Sequence, residues 1–175
     1  DKAAVLFRLL EPLVKKLDYI KEFNILGVND RVDWVSEDFR ALKHFTIGET
    51  LMQAHLNHYC MVEQTKLVID GSTPWLKAAP SEKSKGRVVV NLTERYRNHA
   101  FPWQKIVDHY GGLILFIGLE HEWFYFCRDY GEVEYARTEN MLHVAELIAG
   151  SELFIGNQSS AGAIAEGLKH RRIQE

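Results

Sequence analysis

The second half of the chain alternates short apolar runs with amphipathic stretches, and this alternation predicts its fold. Four of the runs are rich in branched aliphatic or aromatic residues, which is typical of β-strands, and a fifth begins close to the end of the chain. They are RVVVNL (87–92), LILFIGL (113–119), VEYA (133–136), ELFIGN (152–157) and RRIQE (171–175). The continuous apolar character of LILFIGL indicates a strand that is buried on both faces.

Four stretches between these runs have the apolar spacing of helices. They are FPWQKIVDHY (101–110), EHEWFYFCRDYG (120–131), TENMLHVAELIAGS (138–151) and SSAGAIAEGLKH (159–170). Pro102 suits a first helical turn, and Gly111, Gly131 and Gly150 follow the last turns. Strands that alternate with helices at this spacing require right-handed crossovers. The sequence therefore predicts an α/β fold, a Rossmann-like parallel sheet with helices on both faces.

The first 80 residues have a weaker pattern. A helix interrupted at Pro12, a strand and a second helix are expected, and a polar stretch that contains Pro80 is the candidate linker. The corresponding segments are 7–20, 21–27, 47–60 and 79–86. We interpret residues 1–80 as the remnant or tail of an amino-terminal α/β domain and residues 81–175 as the Rossmann-like domain. We therefore expect the chain to be a fragment whose second domain is truncated.

Composition excludes several classes of protein. The chain has 175 residues, of which 46% are hydrophobic and 26% charged, and its formal net charge is -3. This composition is globular, and it lacks the basic excess of a general nucleic-acid binder. No apolar run approaches the roughly 18 residues of a transmembrane segment. Cys60 and Cys127 give no disulfide framework, so we expect a reducing, cytoplasmic location.

Metal binding is not expected. His55 and His58 lie three residues apart on a predicted helix, but no Cys or carboxylate completes a ligand set at metal-binding spacing. The pair His121–Glu122 does not extend to the zinc motif H-E-x-x-H, because Tyr125 stands where the second His is needed.

A group of small polar residues follows the fourth predicted strand. In FIGNQSSAGAIAEGL (154–168), Asn157, Gln158, Ser159 and Ser160 stand at the start of a helix. Ligands of open parallel sheets bind beyond the carboxyl ends of the strands, and the unpaired amides of a first helical turn attract anions. A phosphate group is the expected ligand at this position. The alternative is that Asn157 or Ser159 only caps the helix.

Two arginines follow the first predicted strand. The segment TERYRN (93–98) places Thr93, Arg95 and Arg97 at the same edge of the sheet, where two guanidinium groups can clamp an anion. The alternative is a solvated loop in which the arginines pair with Glu94. At the next junction, Glu122 is expected to cap a helix or to contact a ligand hydroxyl.

A resemblance to a known family rests on two stretches. They are RVVVNLTERYRNHAFPWQKIVDHYGGLILFIGLEHE and TENMLHVAELIAGSELFIGNQSSAGAIAEGL. Together they resemble the carboxyl-terminal domain of GT-B glycosyltransferases, most closely the heptosyltransferase-like group, glycosyltransferase family 9. The resemblance covers residues 86–175. It implies a nucleotide-diphosphate-sugar donor and an acceptor held by a preceding domain. We expect Arg95, Arg97 and the helix start at 159–160 to stabilise the departing diphosphate without a metal.

The chain departs from that family at its phosphate motif. Gln158, Ser160, Ala161 and Ala163 replace the Asp, Gly, Pro and His of the family, and no acidic residue of the first part can be singled out as the catalytic base. We therefore expect a glycosyltransferase-like protein that binds a nucleotide-diphosphate sugar and transfers the sugar to an unknown acceptor. A non-catalytic Rossmann-like module for a nucleotide or phosphate ligand is the alternative, and an interaction protein whose polar junctions are only caps is a third possibility.

Overall fold

The structure, a computed structural model, describes residues 2–27, 29–32 and 70–175. By contact the chain divides into two units, one formed by Asp1–Ile25 with Ser72–Glu175 and the other by Leu26–Gly71. The second predicted helix, which contains His55, His58 and Cys60, lies outside the described residues.

The described part of the first unit is a parallel α/β sheet. Its strands are β1 (Val88–Asn91), β2 (Ile114–Ile117), β3 (Glu134–Ala136), β4 (Leu153–Gly156) and β5 (Arg172–Gln174). All neighbouring strands pair in parallel, in the order β3-β2-β1-β4-β5. The five predicted strands and the α/β class are confirmed.

The helices are α1 (Lys2–Val14), α2 (Trp103–Tyr110), α3 (Glu120–Tyr130), α4 (Met141–Gly150) and α5 (Ser160–Gly167). Short 3₁₀ turns cover Glu82–Ser84 and Gly111–Leu113. Among the described residues, no helix has the length and apolar character needed to cross a membrane.

The sheet has an apolar core on each face. On one face, Val90 and Phe116 pack with Trp103 of α2 and Phe126 of α3. On the other face, side chains of α4 and α5 pack against Val89 and Leu115. Successive residues of a strand point to opposite faces, so β1 and β2 contribute to both cores. Strands buried on both faces explain the continuous apolar runs in the sequence.

Three expectations for the first half are wrong. Pro12 does not interrupt α1, since the helix continues to Val14 with Pro12 in its last turn. Residues 21–27 form no strand. The candidate linker at 79–86 is packed rather than free, because Ser81 N–H donates to Glu146 O and Ser84 is fully buried.

Residues that precede the sheet domain in the sequence pack against it. Helix α1 contacts α4, and Leu13 and Leu17 are buried in the core that α4 helps to form. Tyr19 Oη donates to Trp75 O at 2.7 Å. The contacts therefore join residues through Ile25 to the sheet. The interpretation of residues 1–80 as the tail of another domain stays a prediction.

Candidate functional site

Strands β1 and β4 lie side by side at the point where the strand order reverses. Asn91 and Gly156, the last residues of these strands, are paired in register. The chain leaves β1 towards α2 on one face and leaves β4 towards α5 on the other. Divergent connections of this kind open a crevice at the carboxyl edge of a parallel sheet, which is the usual ligand site of such folds.

Asn157 bridges this crevice. Its side chain is fully buried, and its Oδ1 accepts from the backbone N–H and the hydroxyl of Thr93, both at 3.2 Å. Its Nδ2 donates to Thr93 O at 2.8 Å and to Arg95 O at 2.9 Å. The amide thus holds the β1 loop against the end of β4, and none of its hydrogen-bonding groups faces an open site.

Ser159 caps α5, as the capping alternative predicts. Its Oγ accepts from Gly162 N–H at 3.2 Å and donates to Asn91 Oδ1 at 2.8 Å. Asn91, which is also buried, donates from Nδ2 to Ile117 O at 2.8 Å. This chain of polar groups joins the ends of β1 and β2 to the start of α5.

Gln158 and Ser160 are exposed at the opening of α5. Within the described part of the chain, neither side chain makes an intramolecular hydrogen bond. The backbone N–H groups of Ser160 and Ala161 lie before Ala163, whose N–H is the first with an intrahelical acceptor, Ser159 O, so helix geometry leaves them unpaired. Of the four predicted residues at this junction, Gln158 and Ser160 therefore remain accessible to a ligand, whereas Asn157 and Ser159 are engaged in internal bonds.

The two arginines of the β1 loop have different surroundings. Arg95 is exposed and lies over the ring of Tyr96 at 5.0 Å, and Tyr96 has the left-handed φ of 64°. Arg97 is partly buried and donates from Nη2 to Tyr130 Oη at 2.8 Å, while its Nε is buried and has no acceptor among the described residues. The two arginines thus make different contacts, and a joint clamp on an anion stays a prediction.

Arg97 lines a cleft of about 240 Å³ between the β1 loop and α3, which we call the Arg97 cleft. Two arginines and three carboxylates contribute to its wall, together with Thr93 and apolar or aromatic side chains. The lining residues are Leu92, Thr93, Glu94, Arg97, Glu122, Tyr125, Phe126, Arg128 and Asp129. Thr93, Arg97 and Glu122 are thus the predicted site residues that the structure brings together.

Glu122 has the capping role that its position predicts. Its Oε2 accepts from Leu119 N–H at 2.9 Å at the start of α3. Gly118, just before this cap, has φ of 137°, and a Cβ there would lie 2.9 Å from Glu122 Oε2. Glu122 Oε1 makes no hydrogen bond to the described residues, so one oxygen is left for a ligand hydroxyl.

The far wall of the cleft was not predicted. Tyr125, Arg128 and Asp129 come from α3, and Arg128 lies over the Tyr125 ring at 5.0 Å. The available signal was helical spacing, since Glu122, Tyr125 and Asp129 lie three and four residues apart and therefore share one face of a helix. That this face meets the β1 loop depends on packing, which the spacing does not encode.

Arg128 and Asp129 form an ion pair at the rim of the cleft. Nε and Nη2 of Arg128 both lie 2.8 Å from Asp129 Oδ1. The hydrogen bond from Arg128 lowers the pKa of Asp129 below its ordinary value, and the charge of Arg97 acts in the same direction. Arg97 and Asp129 line the same cleft, and they form no ion pair with each other.

Other chemistry is sparse in the described residues. No group of three or more His, Cys, Asp or Glu side chains in this part of the chain converges as a metal site would. Cys127 is a free thiol, half-buried, with Sγ 4.0 Å from Val133 O.

Compared with protein-family models, curated proteins and solved structures, the chain gives no match. Function therefore has to be inferred from the geometry of the carboxyl edge and from the residue patterns of the sequence.

Proposed function

We propose that this chain is glycosyltransferase-like and binds a nucleotide-diphosphate sugar at the carboxyl edge of its sheet, with the diphosphate in the Arg97 cleft. The observation that carries the proposal is the guanidinium group of Arg97, which lines the cleft and has a neutral hydroxyl, Tyr130 Oη, as its hydrogen-bond partner. Among the described residues no ion pair neutralises its charge, which is available to a phosphate.

The mixed charge of the cleft suits a ligand that carries both phosphates and hydroxyls. Arg97 can donate to phosphate oxygens, while Glu94 and Glu122 can accept from the hydroxyls of a sugar or a ribose. In sugar transfer, positive charge next to the diphosphate stabilises it as it departs. Deprotonation of the acceptor hydroxyl requires a general base, and we assign this role to no residue of the Arg97 cleft.

The size of the cleft limits which part of the donor it holds. A volume of about 240 Å³ lies below the roughly 300–1,000 Å³ of pockets that enclose a whole small molecule. We therefore assign to it the diphosphate and one adjoining ring. The rest of the donor lies along the rim, where Gln158, Ser160 and the first amides of α5 are accessible.

Calorimetric titration tests the proposal, with inorganic pyrophosphate, nucleoside diphosphates and nucleotide-diphosphate sugars as ligands. Loss of a charged hydrogen bond costs about 1.5–3 kcal/mol, so Arg97→Met is expected to weaken diphosphate binding about 10- to 100-fold. Arg171→Met, which removes an exposed arginine beside β5, is the matched control and is expected to leave binding unchanged. Failure of every diphosphate to bind, or equal binding by Arg97→Met, would refute the proposal.

A second candidate function is a module that binds a nucleotide or phosphate ligand without catalysis. The burial of Asn157 and the engagement of Ser159 with Asn91 favour it, because these predicted contacts to the donor are used for internal bonds. Incubation with nucleotide-diphosphate sugars, followed by chromatography of the nucleotides, separates the two candidates. Binding of diphosphates with neither hydrolysis nor transfer of the sugar would favour the module.

A further inference from the structure

The last turn of α3 places Arg128 and Asp129 in the wall of the Arg97 cleft and Tyr130 in contact with Arg97. We propose that Tyr130 orients the guanidinium of Arg97, and that Arg128 holds Asp129 away from it, so that Arg97 stays unpaired until an anion arrives. This inference rests on the proposed function, because it concerns the same cleft. It assigns regulation of anion affinity to three consecutive residues that need not contact the ligand.

Tyr130 fixes Arg97 without neutralising it. Tyr130 Oη accepts from Arg97 Nη2 at 2.8 Å, and a phenol hydroxyl is neutral near pH 7. The ring of Tyr130 packs against Phe126 and Trp103, with centroid distances of 5.2 and 6.5 Å. Both neighbours are almost completely buried. The hydroxyl is therefore held on a packed support, and it acts on the ligand only through Arg97.

Asp129 is the competitor for Arg97. It precedes Tyr130 and lines the same cleft as Arg97. The hydrogen bond from Arg128 is the main cause that lowers the pKa of Asp129, and the charge of Arg97 acts in the same direction. A carboxylate that paired with Arg97 would cancel the charge that an anionic ligand needs. In our proposal Arg128 opposes this pairing, because two of its nitrogens lie 2.8 Å from Asp129 Oδ1 and its charge offsets that of the carboxylate.

A simpler interpretation is that Arg128 itself binds the anion, since Arg128 also lines the cleft and is well exposed. Under both interpretations Arg128→Gln is expected to weaken binding. They differ for the double variant Arg128→Gln/Asp129→Asn. If Arg128 acts by occupying Asp129, removal of both charges restores affinity, whereas a direct contact between Arg128 and the anion stays lost.

The first experiment titrates inorganic pyrophosphate into the full chain at constant ionic strength. Exposed ion pairs contribute little, so we expect Asp129→Asn to tighten binding, and Arg128→Gln to weaken it, by only about 1.5- to 5-fold. The double variant is expected to bind at least as well as the wild type. A double variant as weak as Arg128→Gln would overturn the assignment of Arg128.

Tyr130→Phe tests the orienting role, because it keeps the ring and removes the hydroxyl. We expect weaker pyrophosphate binding, and no further loss when Tyr130→Phe is added to Arg97→Met. Additive losses would show that Tyr130 acts independently of Arg97. Urea unfolding of the same variants shows whether any of them has lost its fold.

A measurement without ligand separates this inference from the proposed function. The pKa of the Asp129 carboxyl is followed by carbon NMR in the wild type, Arg128→Gln and Arg128→Gln/Arg97→Met. We expect Arg97 to replace Arg128 as partner, so that the pKa stays low in the single variant and rises in the double. If Arg97→Met adds nothing to Arg128→Gln, the competition does not exist. If the competition is observed and pyrophosphate does not bind the wild type, only the proposed function fails.

Discussion

The side-chain amide of Asn157 satisfies both backbone groups of Thr93, accepting from its N–H at 3.2 Å and donating to its C=O at 2.8 Å. These residues lie beyond the ends of β4 and β1, 64 positions apart in the chain. The side-chain amide thus pairs with Thr93 as a backbone neighbour in a sheet would, and it extends the β1–β4 pairing by one residue. The loop that carries Arg95 and Arg97 starts from this residue pair.

Replacement of Asn157 by Ala is expected to be strongly destabilising. Several polar groups of the β1 loop lose their partner in a site that excludes water, and each unsatisfied group costs about 1–3 kcal/mol. We expect the free energy of unfolding in urea to fall by about 2–4 kcal/mol.

Asn157→Asp is expected to be no better than Ala, because a carboxylate would face the carbonyl oxygens of Thr93 and Arg95. Gln158→Ala is the matched control. Its side chain is exposed, so the change in stability is expected to stay within about 0.5 kcal/mol. A loss of stability of less than about 0.5 kcal/mol in Asn157→Ala would contradict the bridging role.

The strands were predictable because a strand that is buried on both faces needs apolar residues at successive positions. Ile114–Ile117 reads as an apolar run since every residue of it is covered by helices. Residues 21–27 contain the apolar residues Phe23, Ile25 and Leu26, yet they form no strand, and none of the described strands pairs with them. Local composition cannot report whether a pairing partner exists.

The site was only partly predictable. Chain order places Thr93, Arg97 and Glu122 at the carboxyl edge, and the edge is where they lie. The choice between a ligand contact and an internal contact depends on distances between loops. Asn157 and Gln158 are adjacent and chemically alike, yet one is fully buried and the other exposed. Tyr130 was not predicted for the same reason, because its hydroxyl contacts Arg97 only through the packing of the β1 loop against α3.

Gly118 is expected to tolerate no side chain. It has φ of 137°, and a Cβ would lie 2.7 Å from Asn91 Nδ2 and 2.9 Å from Glu122 Oε2. Backbone strain alone costs about 1–3 kcal/mol, and the displaced side chains would lose hydrogen bonds as well. We expect Gly118→Ala to lower the urea midpoint clearly.

Gly112 provides the comparison for that variant. A Cβ at Gly112 meets nothing within 4 Å, and its φ is not in the left-handed range. Gly112→Ala is therefore expected to be neutral or slightly stabilising, because it reduces the entropy of the unfolded chain. Equal losses in the two variants would contradict the crowding at Gly118.

Ser159 is expected to contribute more to stability than an ordinary cap. Ser159→Ala removes the cap of α5, which costs about 0.5–2 kcal/mol, and leaves the buried Asn91 Oδ1 without a donor. Asn140→Ala removes only a cap, the bond from His143 N–H at the start of α4. In urea unfolding, Ser159→Ala is expected to lower the free energy of unfolding more than Asn140→Ala does. Equal losses would show that the bond to Asn91 does not contribute to stability.

Stability is expected to fall on acidification because of His170. Burial lowers the pKa of His170 below its ordinary value, and Glu152 partly opposes the shift. Ser151 Oγ donates to Ile148 O at 2.8 Å and lies 3.0 Å from His170 Nε2, so the hydroxyl accepts from the imidazole. This bond fits the neutral ring with its proton on Nε2, the form that the folded state prefers.

The folded state then binds a proton at His170 less readily than the unfolded chain does. The stability from neutral His170 is complete above the unfolded pKa, near 6.5, and is lost as the pH falls from there through the lower folded pKa. We expect His170→Gln to lose less stability than the wild type between pH 8 and pH 5 in urea unfolding. Glu152→Gln should lose more, because it removes the charge that raises the pKa of His170. Equal acid losses in the wild type and His170→Gln would show that His170 does not control this part of the pH profile.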